Sequence, residues 1–305
     1  MALPPALADR TGETRIVVTD SGLGGLLIAA NLERRLRESG GPGAVRLGYV
    51  NAWPDERFGY NDLPDLAARA EVFDRALAAM TALGPSTIVI ACNTLSVVYR
   101  ATAYHRSPAA PVEGILEAGV DLFFEALNGD EESVLALFGT RTTIGSGEHV
   151  RRLVARGIDP DRIAAEACHG VAAAIDKDPD APAVPGLVDA CVLRLLARIP
   201  SVPRIYAGLA CTHYAYVEEI FRGALARHTG ARVDILDPGE RLVDGLTRDL
   251  PLREPRAAPR EVAVEVMSKV RLAEPQRRAV ARRLEPVSPA AAQALLEYRH
   301  VPDLF

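Results

Sequence analysis

The 305-residue chain has few aromatic residues, no excess of basic residues and no long apolar run. Aromatic residues make up 5% of the sequence, and 35 Lys and Arg residues against 40 Asp and Glu residues give a net charge of −5. A chain without a basic excess lacks the electrostatic footprint of a nucleic-acid binder. No apolar run is long enough to cross a bilayer, and no signal peptide is recognisable. We therefore expect a cytoplasmic protein without nucleic-acid or membrane partners.

Cysteine is scarce, and complete metal or nucleotide motifs are missing. The four cysteines at positions 92, 168, 191 and 211 form no CxxC pair, which argues against structural zinc and favours free thiols in a reducing compartment. The stretch DSGLGG at 20–25 lacks the Gly-Lys-Ser/Thr of a phosphate loop, and Leu27 replaces the third glycine of a dinucleotide fingerprint. We expect no metal and no cofactor.

Short apolar runs alternate with helical patterns along the chain. The pattern predicts strands at 14–19, 45–50, 87–90, 133–138, 163–167, 205–210 and 233–236, with helices between them. Such alternation predicts parallel sheets with right-handed crossovers. The strands fall into two similar series, so we predict two α/β domains that face each other across a cleft.

Two of the predicted strands end in a cysteine that is followed by polar residues. Cys92 precedes Asn93 and Thr94, and Cys211 precedes Thr212 and His213. A lone buried cysteine is usually a small core residue, but a core cysteine needs no polar neighbours. Ligands bind at the carboxyl ends of strands in open α/β sheets. The pattern therefore favours a site with a thiol on either side of a substrate.

The chemistry of two opposed thiols is proton transfer. A thiol has a reference pKa of about 8.5 and can cycle between thiol and thiolate near neutral pH. His213 and Asp20 are placed to assist Cys211 and Cys92, respectively. Two thiols on opposite faces of one carbon could remove a proton from one face and return one to the other, which is racemisation or epimerisation. The DSGLGG stretch is either an anion-binding turn or simply a tight turn.

Five ordered motifs resemble those of the glutamate racemase family, within the aspartate/glutamate racemase superfamily. They are DSGLGG at 20–25, ACNTLS at 91–96, GTRTTIGS at 139–146, GLACTHY at 208–214 and LDPGE at 236–240. The resemblance implies a cofactor-independent mechanism in which Cys92 acts on the D-enantiomer and Cys211 on the L-enantiomer, with Asp20 and His213 assisting. It implies a substrate-binding set of Asp20, Ser21, Phe58, Gly59, Asn93, Thr94, Thr140, Thr143, Thr212 and His213.

The resemblance also implies how the chain is divided. Residues 12–111 and 214–250 would form the first domain, residues 112–213 the second, and residues 251–305 an extension packed on the first. The expected partner is a small-molecule amino acid, with a homodimer left open. D-Glutamate made by such an enzyme would supply peptidoglycan synthesis.

The loop that shapes the pocket departs from the family pattern. Arg57-Phe58-Gly59 stands where Pro-Tyr-Gly is typical, so Phe58 lacks a hydroxyl that Tyr60 could supply from a shifted position. Asn51-Ala52 replaces a Gly-Asp pair, and His149 stands where tyrosine is common. Two alternatives to glutamate racemisation therefore stay open. One is a racemase of aspartate, hydantoin or another carboxylate, and the other is a silent amino-acid-binding regulator.

Overall fold

Parallel strands form two separate sheets in the computed structural model, which describes residues 14–39, 43–248 and 260–305. The strands in these ranges are β1 (Thr14–Asp20), β2 (Val45–Asn51), β3 (Thr87–Ile90), β4 (Val112–Gly114), β5 (Ser133–Gly139), β6 (Ile163–Ala167), β7 (Arg204–Ala210), β8 (Arg232–Leu236), β9 (Val262–Ser268) and β10 (Arg299–His300).

Helices connect the strands and cover the faces of both sheets. They are α1 (Leu26–Glu38), α2 (Leu66–Ala82), α3 (Asn93–Tyr99), α4 (Ala103–Arg106), α5 (Ile115–Asn128), α6 (Arg141–Gly145), α7 (Glu148–Ala155), α8 (Val171–Lys177), α9 (Ala183–Leu196), α10 (Glu218–His228), α11 (Pro238–Thr247), α12 (Glu274–Leu284) and α13 (Pro289–Leu296). Short 3₁₀ segments lie at Tyr60–Asp62, Pro160–Arg162 and Thr212–Val217.

The first sheet has the order β10-β9-β2-β1-β3-β4, and the second has the order β6-β5-β7-β8. Every pairing within them is parallel. Strands β3 and β5 are buried along their whole length, as expected for parallel sheets that carry helices on both faces. The predicted α/β fold with two parallel sheets is confirmed.

The register of the central strands brings the predicted functional residues together. Thr19 on β1 lies opposite Ile90 on β3, so Asp20 and Cys92 follow at the same edge of the first sheet. Gly139 on β5 lies opposite Ala210 on β7, which places Thr140 and Cys211 at the same edge of the second sheet. Each sheet therefore presents one of the two predicted catalytic thiols at the carboxyl ends of its strands.

The sheets divide the chain differently from the predicted domains at two places. β8, which lies within the predicted first-domain segment, pairs with β7 over five residues in the second sheet. β4, which follows the predicted boundary at 111, pairs with β3 in the first sheet. The chain returns to the first sheet after residue 260, where β9 pairs with seven residues of β2. Residues 249–250 of the predicted first domain and residues 251–259 of the predicted extension lie outside the described residues.

Several helices were not predicted from the sequence. Residues 141–145 and 176–177 fall in predicted loops but belong to α6 and α8. α12 was also missed, although Ala279, Val280 and Leu284 form a buried face. Their short length or many arginines weaken the helical pattern that the sequence offers.

Candidate active site

A cavity of about 220 Å³ lies between the carboxyl edges of the two sheets. Both Cys92 and Cys211 line it, and both side chains are nearly buried. The other lining residues are Asp20, Ser21, Trp53, Gly59, Tyr60, Asn61, Asp62, Asn93, Thr94, Thr140, Arg141, Cys168, His169, Gly170, Ala172, Ala173, Asp176, Thr212 and His213. The cavity is therefore lined by Cys92 from the first sheet and by Cys168 and Cys211 from the second.

Cys92 lies between a hydroxyl and a carboxyl group. Its Sγ is 3.2 Å from Ser21 Oγ, within hydrogen-bonding distance. Burial raises the pKa of the Cys92 thiol well above its usual range, and the charge of Asp20 raises it further. A thiol in this environment keeps its proton, so Cys92 can act as a proton donor.

Asp20 is fully buried at the end of β1. Its Oδ2 accepts a hydrogen bond of 2.8 Å from the Thr212 hydroxyl, while Oδ1 has no partner among the described residues. Burial raises the pKa of Asp20, although the nearby His213 and the Thr212 hydroxyl act against this shift. The free oxygen can accept a hydrogen bond from a substrate ammonium group.

Cys211 lies beside an imidazole that is held by a carboxylate. Its Sγ is 3.7 Å from His213 Nδ1, and His213 Nε2 is 2.9 Å from Asp176 Oδ1. Burial of His213 opposes protonation, but the hydrogen bonds to Asp176 and Cys211 outweigh it and raise the pKa of His213 well above its usual value. A positive imidazolium at this distance attracts the negative charge of a thiolate.

The DSGLGG turn fits closely against the end of β7. A Cβ atom on Gly24 would lie 2.4 Å from Thr212 Oγ1 and 2.6 Å from His213 Nδ1, so only glycine fits there. The backbone N–H of Leu23 donates to Asp176 Oδ1 at 2.8 Å. The anionic group that this turn contacts is therefore a side chain of the protein, and the turn helps to place the Cys211 partners.

Asn93, Thr94 and Thr140 form a polar wall of the cavity, and Thr143 bonds the two threonines from behind it. Neither amide atom of Asn93 has a partner among the described residues, although the side chain is 1% exposed. Thr94 Oγ1 is 2.8 Å from Thr140 Oγ1 and 3.2 Å from Thr143 Oγ1. Buried amides and hydroxyls of this kind can bind a carboxylate.

The Asp/Glu/Hydantoin racemase family matches residues 24–246. The chain belongs to the Asp/Glu/Hydantoin racemase family. It is 32% identical to a glutamate racemase of Ruegeria sp. (strain TM1040) over 249 residues, which cover 77% of this chain and 85% of that protein. It is 33% identical to a glutamate racemase of Jannaschia sp. (strain CCS1) over 226 residues, covering 68% of this chain and 76% of that protein.

Solved structures of racemases share the fold. Glutamate racemase isoform RacE1 from Bacillus anthracis superposes with a TM-score of 0.66 at 20% identity, covering 94% of this chain and 95% of that chain. Glutamate racemase from Francisella tularensis in complex with D-glutamate superposes with a TM-score of 0.64 at 17% identity, covering 94% and 97%. The predicted resemblance and the prediction of a racemase-type isomerase are confirmed by the sequence relatives.

In this racemase, most of the predicted site residues line the cavity. Thr143 is the first exception, since it contacts the cavity only through its hydrogen bonds to Thr94 and Thr140. Phe58 is the second exception. It does not line the cavity, because a local turn pairs it with Asp55, and the Arg57 guanidinium lies over its ring while bonding Asp55 at 2.8 Å.

Other residues at the site of the racemase were not predicted as site residues. Asp176 and Cys168 both line the cavity. Tyr60, raised only as a substitute hydroxyl, is 2% exposed, and its hydroxyl has no partner among the described residues. No local pattern marks Asp176, because its partners Leu23 and His213 lie far away in the sequence.

The mouth of the racemase cavity is bridged by contacts between the two halves. Asn61 Oδ1 accepts hydrogen bonds from the backbone N–H and the hydroxyl of Thr142, at 3.1 and 2.8 Å. Arg141 Nη2 lies 3.8 Å from Asp62 Oδ1. These bridges join the Tyr60–Asp62 segment to α6 and narrow the entrance.

Within residues 14–39, 43–248 and 260–305, no group of three or more His, Cys, Asp or Glu side chains could hold a metal ion. In the same part of the chain, no helix is long and apolar enough to cross a membrane.

Proposed function

We propose that this racemase interconverts L- and D-glutamate without a cofactor, with Cys92 and Cys211 as the two bases. The observation that carries the proposal is that two thiols from different sheets line one cavity, each beside its own proton-handling partner. The relatives named glutamate racemase support glutamate as the substrate.

The proposed reaction moves one proton off the α-carbon and another one on. For the L-enantiomer, the Cys211 thiolate takes the α-hydrogen as a proton, and the electron pair of the C–H bond stays on the carbon. The Cys92 thiol then donates its proton to the opposite face, which gives the D-enantiomer and leaves a Cys92 thiolate. The reverse reaction starts from that state. No electrons are gained or lost, so no redox partner is needed.

The α-proton of an amino acid is very weakly acidic, so the cavity must stabilise the charge that develops. In the proposal, Asp20 Oδ1 binds the substrate ammonium group, and Asn93 with the threonine hydroxyls binds the α-carboxylate. These groups are buried and already oriented, which makes their electrostatic contribution large and its reorganisation cost small. Ser21 donates to the Cys92 sulfur when that sulfur is a thiolate.

Hydrogen exchange at the α-carbon tests the two-thiol mechanism. Incubation of each glutamate enantiomer in D₂O should give racemisation with incorporation of one deuterium. Cys92→Ser and Cys211→Ser should each lower the racemisation rate by about 10²–10⁴-fold. A serine hydroxyl is a far weaker acid than a cysteine thiol, and it does not ionise near neutral pH to act as the base. Cys191→Ser is the matched control, since Cys191 is buried outside the cavity. Wild-type racemisation in either of the first two variants would refute the mechanism.

A panel of substrates separates glutamate from the alternatives. D- and L-glutamate, aspartate, a 5-substituted hydantoin and other small carboxylates would be compared at equal enzyme concentration. A higher kcat/KM for aspartate or the hydantoin than for glutamate would overturn the choice of substrate and keep the racemase. Tight amino-acid binding by calorimetry without turnover of any compound would instead indicate a regulatory binding protein.

We further propose that the D-glutamate formed supplies peptidoglycan synthesis. Expression of the chain in a bacterial strain that requires D-glutamate should restore growth without that supplement. The Cys92→Ser variant provides the negative control. Failure to restore growth with an enzyme that racemises glutamate in vitro would refute the peptidoglycan role alone.

A further inference from the structure

The C-terminal part of the chain reaches the active site through one glutamine side chain. Gln276 on α12 donates its Nε2–H to Asp176 Oδ2 at 2.7 Å. The other carboxylate oxygen of Asp176 bonds His213, and His213 contacts Cys211. A continuous chain of side chains therefore leads from Gln276 to the Cys211 sulfur.

We propose that Gln276 is a positioning residue for the Cys211 half of the reaction, which holds Asp176 in the orientation that fixes the His213 ring beside the sulfur. This inference rests on the proposed two-thiol function. It assigns a role in the reaction to residues 260–305, which lie outside the part of the chain that matches the racemase family.

The donor set around Asp176 shows why Gln276 matters. A carboxylate can only accept hydrogen bonds, so the amide nitrogen of Gln276 must face it. Oδ1 accepts from the Leu23 backbone at 2.8 Å and lies 2.9 Å from His213 Nε2, whereas among the described residues Oδ2 accepts only from Gln276. Without that donor, the carboxylate is free to turn towards water, since its side chain is 10% exposed.

Gln276 acts at a distance from the substrate, because it does not line the cavity. Its loss should therefore lower kcat and leave KM nearly unchanged. Loss of a residue that merely stabilises the fold would change neither the protonation of His213 nor the ratio of kcat to KM, when both are measured at a temperature where the variant is folded. These two quantities distinguish positioning from structural support.

Several titratable and charged groups lie around His213 and act on its protonation. Asp20 faces His213 from β1, and Cys211 and Asp176 bond it directly. Tyr49 and Tyr216 lie close to Asp176. From α12, Arg282 and Arg283 approach Asp178 and Asp180 and do not bond Asp176. Gln276 is therefore the α12 side chain that acts on the Asp176–His213 pair.

The first test replaces the glutamine by an apolar side chain of similar length. Gln276→Leu should lower kcat for glutamate racemisation about 10-fold with KM within about twofold, because the hydrogen bond to a charged group is lost. The His213 titration, followed by NMR of histidine-labelled protein, should move to lower pH, since the bond to Asp176 favours the imidazolium. Gln293→Leu on α13 is the matched control, because Gln293 bonds the exposed Glu297.

The second test keeps the shape of the side chain and makes the donor titratable. Gln276→Glu can donate to Asp176 only while it is protonated. Its kcat should approach the wild-type value at acidic pH and fall as the pH rises and the donor proton is lost. If Gln276→Leu does not fold, this variant decides the question, and a wild-type pH profile in it would overturn the proposal.

The outcomes separate this inference from the proposed function. A wild-type kcat in Gln276→Leu, a lower kcat with an unchanged His213 titration, or a rise in KM alone would each overturn the positioning role. Wild-type protein that racemises no amino acid would overturn the proposed function. In that case the His213 titration still reports whether Gln276 orients Asp176.

Discussion

Buried polar atoms without partners mark where a substrate would complete the cavity. Asp20 Oδ1, both amide atoms of Asn93 and the Tyr60 hydroxyl share this property among the described residues. A buried polar group left unpaired costs about 1–3 kcal/mol. The chain keeps three such groups at one cavity, which is the pattern expected when a ligand supplies the missing partners.

Tyr60 provides a first prediction for a single residue. Tyr60→Phe removes one hydroxyl from a buried ring that packs edge-on against Phe73. If the hydroxyl bonds the substrate, KM for glutamate should rise about 10-fold, while the free energy of unfolding is unchanged or increases by about 1 kcal/mol. Steady-state kinetics and thermal melts measure the two effects.

The control for Tyr60 is a tyrosine whose hydroxyl is already paired. Tyr104 Oη bonds Thr81 Oγ1 at 2.7 Å and accepts from the Ala110 N–H, away from the cavity. Tyr104→Phe should reduce stability and leave KM unchanged. An unchanged KM in Tyr60→Phe would show that the substrate does not bond that hydroxyl.

Gly24 provides a second prediction for a single residue. In Gly24→Ala, the new methyl group would overlap Thr212 and His213, so these side chains or the turn must move. We expect a loss of about 100-fold in kcat/KM, because displacing a catalytic group by about 1 Å has an effect of that size. Gly186→Ala in α9 meets no atom within 4 Å and should keep full activity. Equal activity in the two variants would contradict the close-approach argument.

Which residues could be predicted depends on how far apart their partners lie in the sequence. Cys92 and Cys211 follow apolar strands and precede polar residues, so local sequence was enough to find them. Asp176 becomes a site residue only through His213, which lies 37 positions away, and Gln276 only through Asp176, which lies 100 positions away. Phe58 does not line the cavity, and the ion pair of Arg57 with Asp55 lies in the same turn.

At the scale of elements, helix α11 begins at a carboxyl group whose charge is disfavoured. Asp237 caps the helix by accepting from the Gly239 N–H at 2.8 Å. Burial nevertheless raises the pKa of Asp237 to about 6. Because its folded pKa lies above the unfolded value of about 3.9, folding is favoured while the group is protonated. This contribution to stability is lost as the pH rises between about 4 and 6.

Asp237→Asn should remove this pH dependence, because the amide oxygen still accepts the capping bond and carries no charge. We expect the variant to match wild type below about pH 4 and to be more stable at pH 7, by at most about 3 kcal/mol at about 1.4 kcal/mol per pKa unit. Denaturant unfolding at several pH values measures the difference. A variant that is less stable than wild type at pH 7 would show that the charged cap is favourable.

Elements also differed in how well the sequence predicted them. The apolar runs of β1, β3 and β7 were predicted to within one residue, because apolar strands flanked by turns give a strong local signal. Short helices such as α6 and α8 were missed, because five to seven residues give too little periodicity. Tertiary contacts hold them, as in the Asn61 bonds to Thr142.

For the whole molecule, the return of the chain to the first sheet makes residues 260–305 part of its core. β9 covers the edge of β2, and Val266 on β9 is buried while Ala263 on the same strand is exposed. Val266→Asp places an unpaired charge in the core at a cost of several kcal/mol, a large part of the roughly 5–15 kcal/mol that stabilises a domain. We expect loss of the cooperative thermal transition.

Ala263→Asp is the matched control on the same strand, and its melting temperature should stay close to that of the wild type. Circular dichroism and thermal melts compare the two variants. A native melting transition in Val266→Asp would show that β9 is peripheral to folding.

The parallel fold could be predicted from alternation, but the path of the chain between the sheets could not. β4 and β8 are short, partly exposed strands that could extend either sheet. Their assignment depends on which neighbouring edge is open, and local sequence contains no information about that. The pairing of β8 with β7 is therefore decided by tertiary contacts and not by the local sequence.

The chain passes between the two sheets twice, once after β4 and once before β9. Cys92 follows a strand of the first sheet and Cys211 follows a strand of the second, so the distance between the two sulfurs depends on how the sheets pack against each other. A substitution that shifts one sheet relative to the other would therefore change the spacing of the two thiols without contacting either of them.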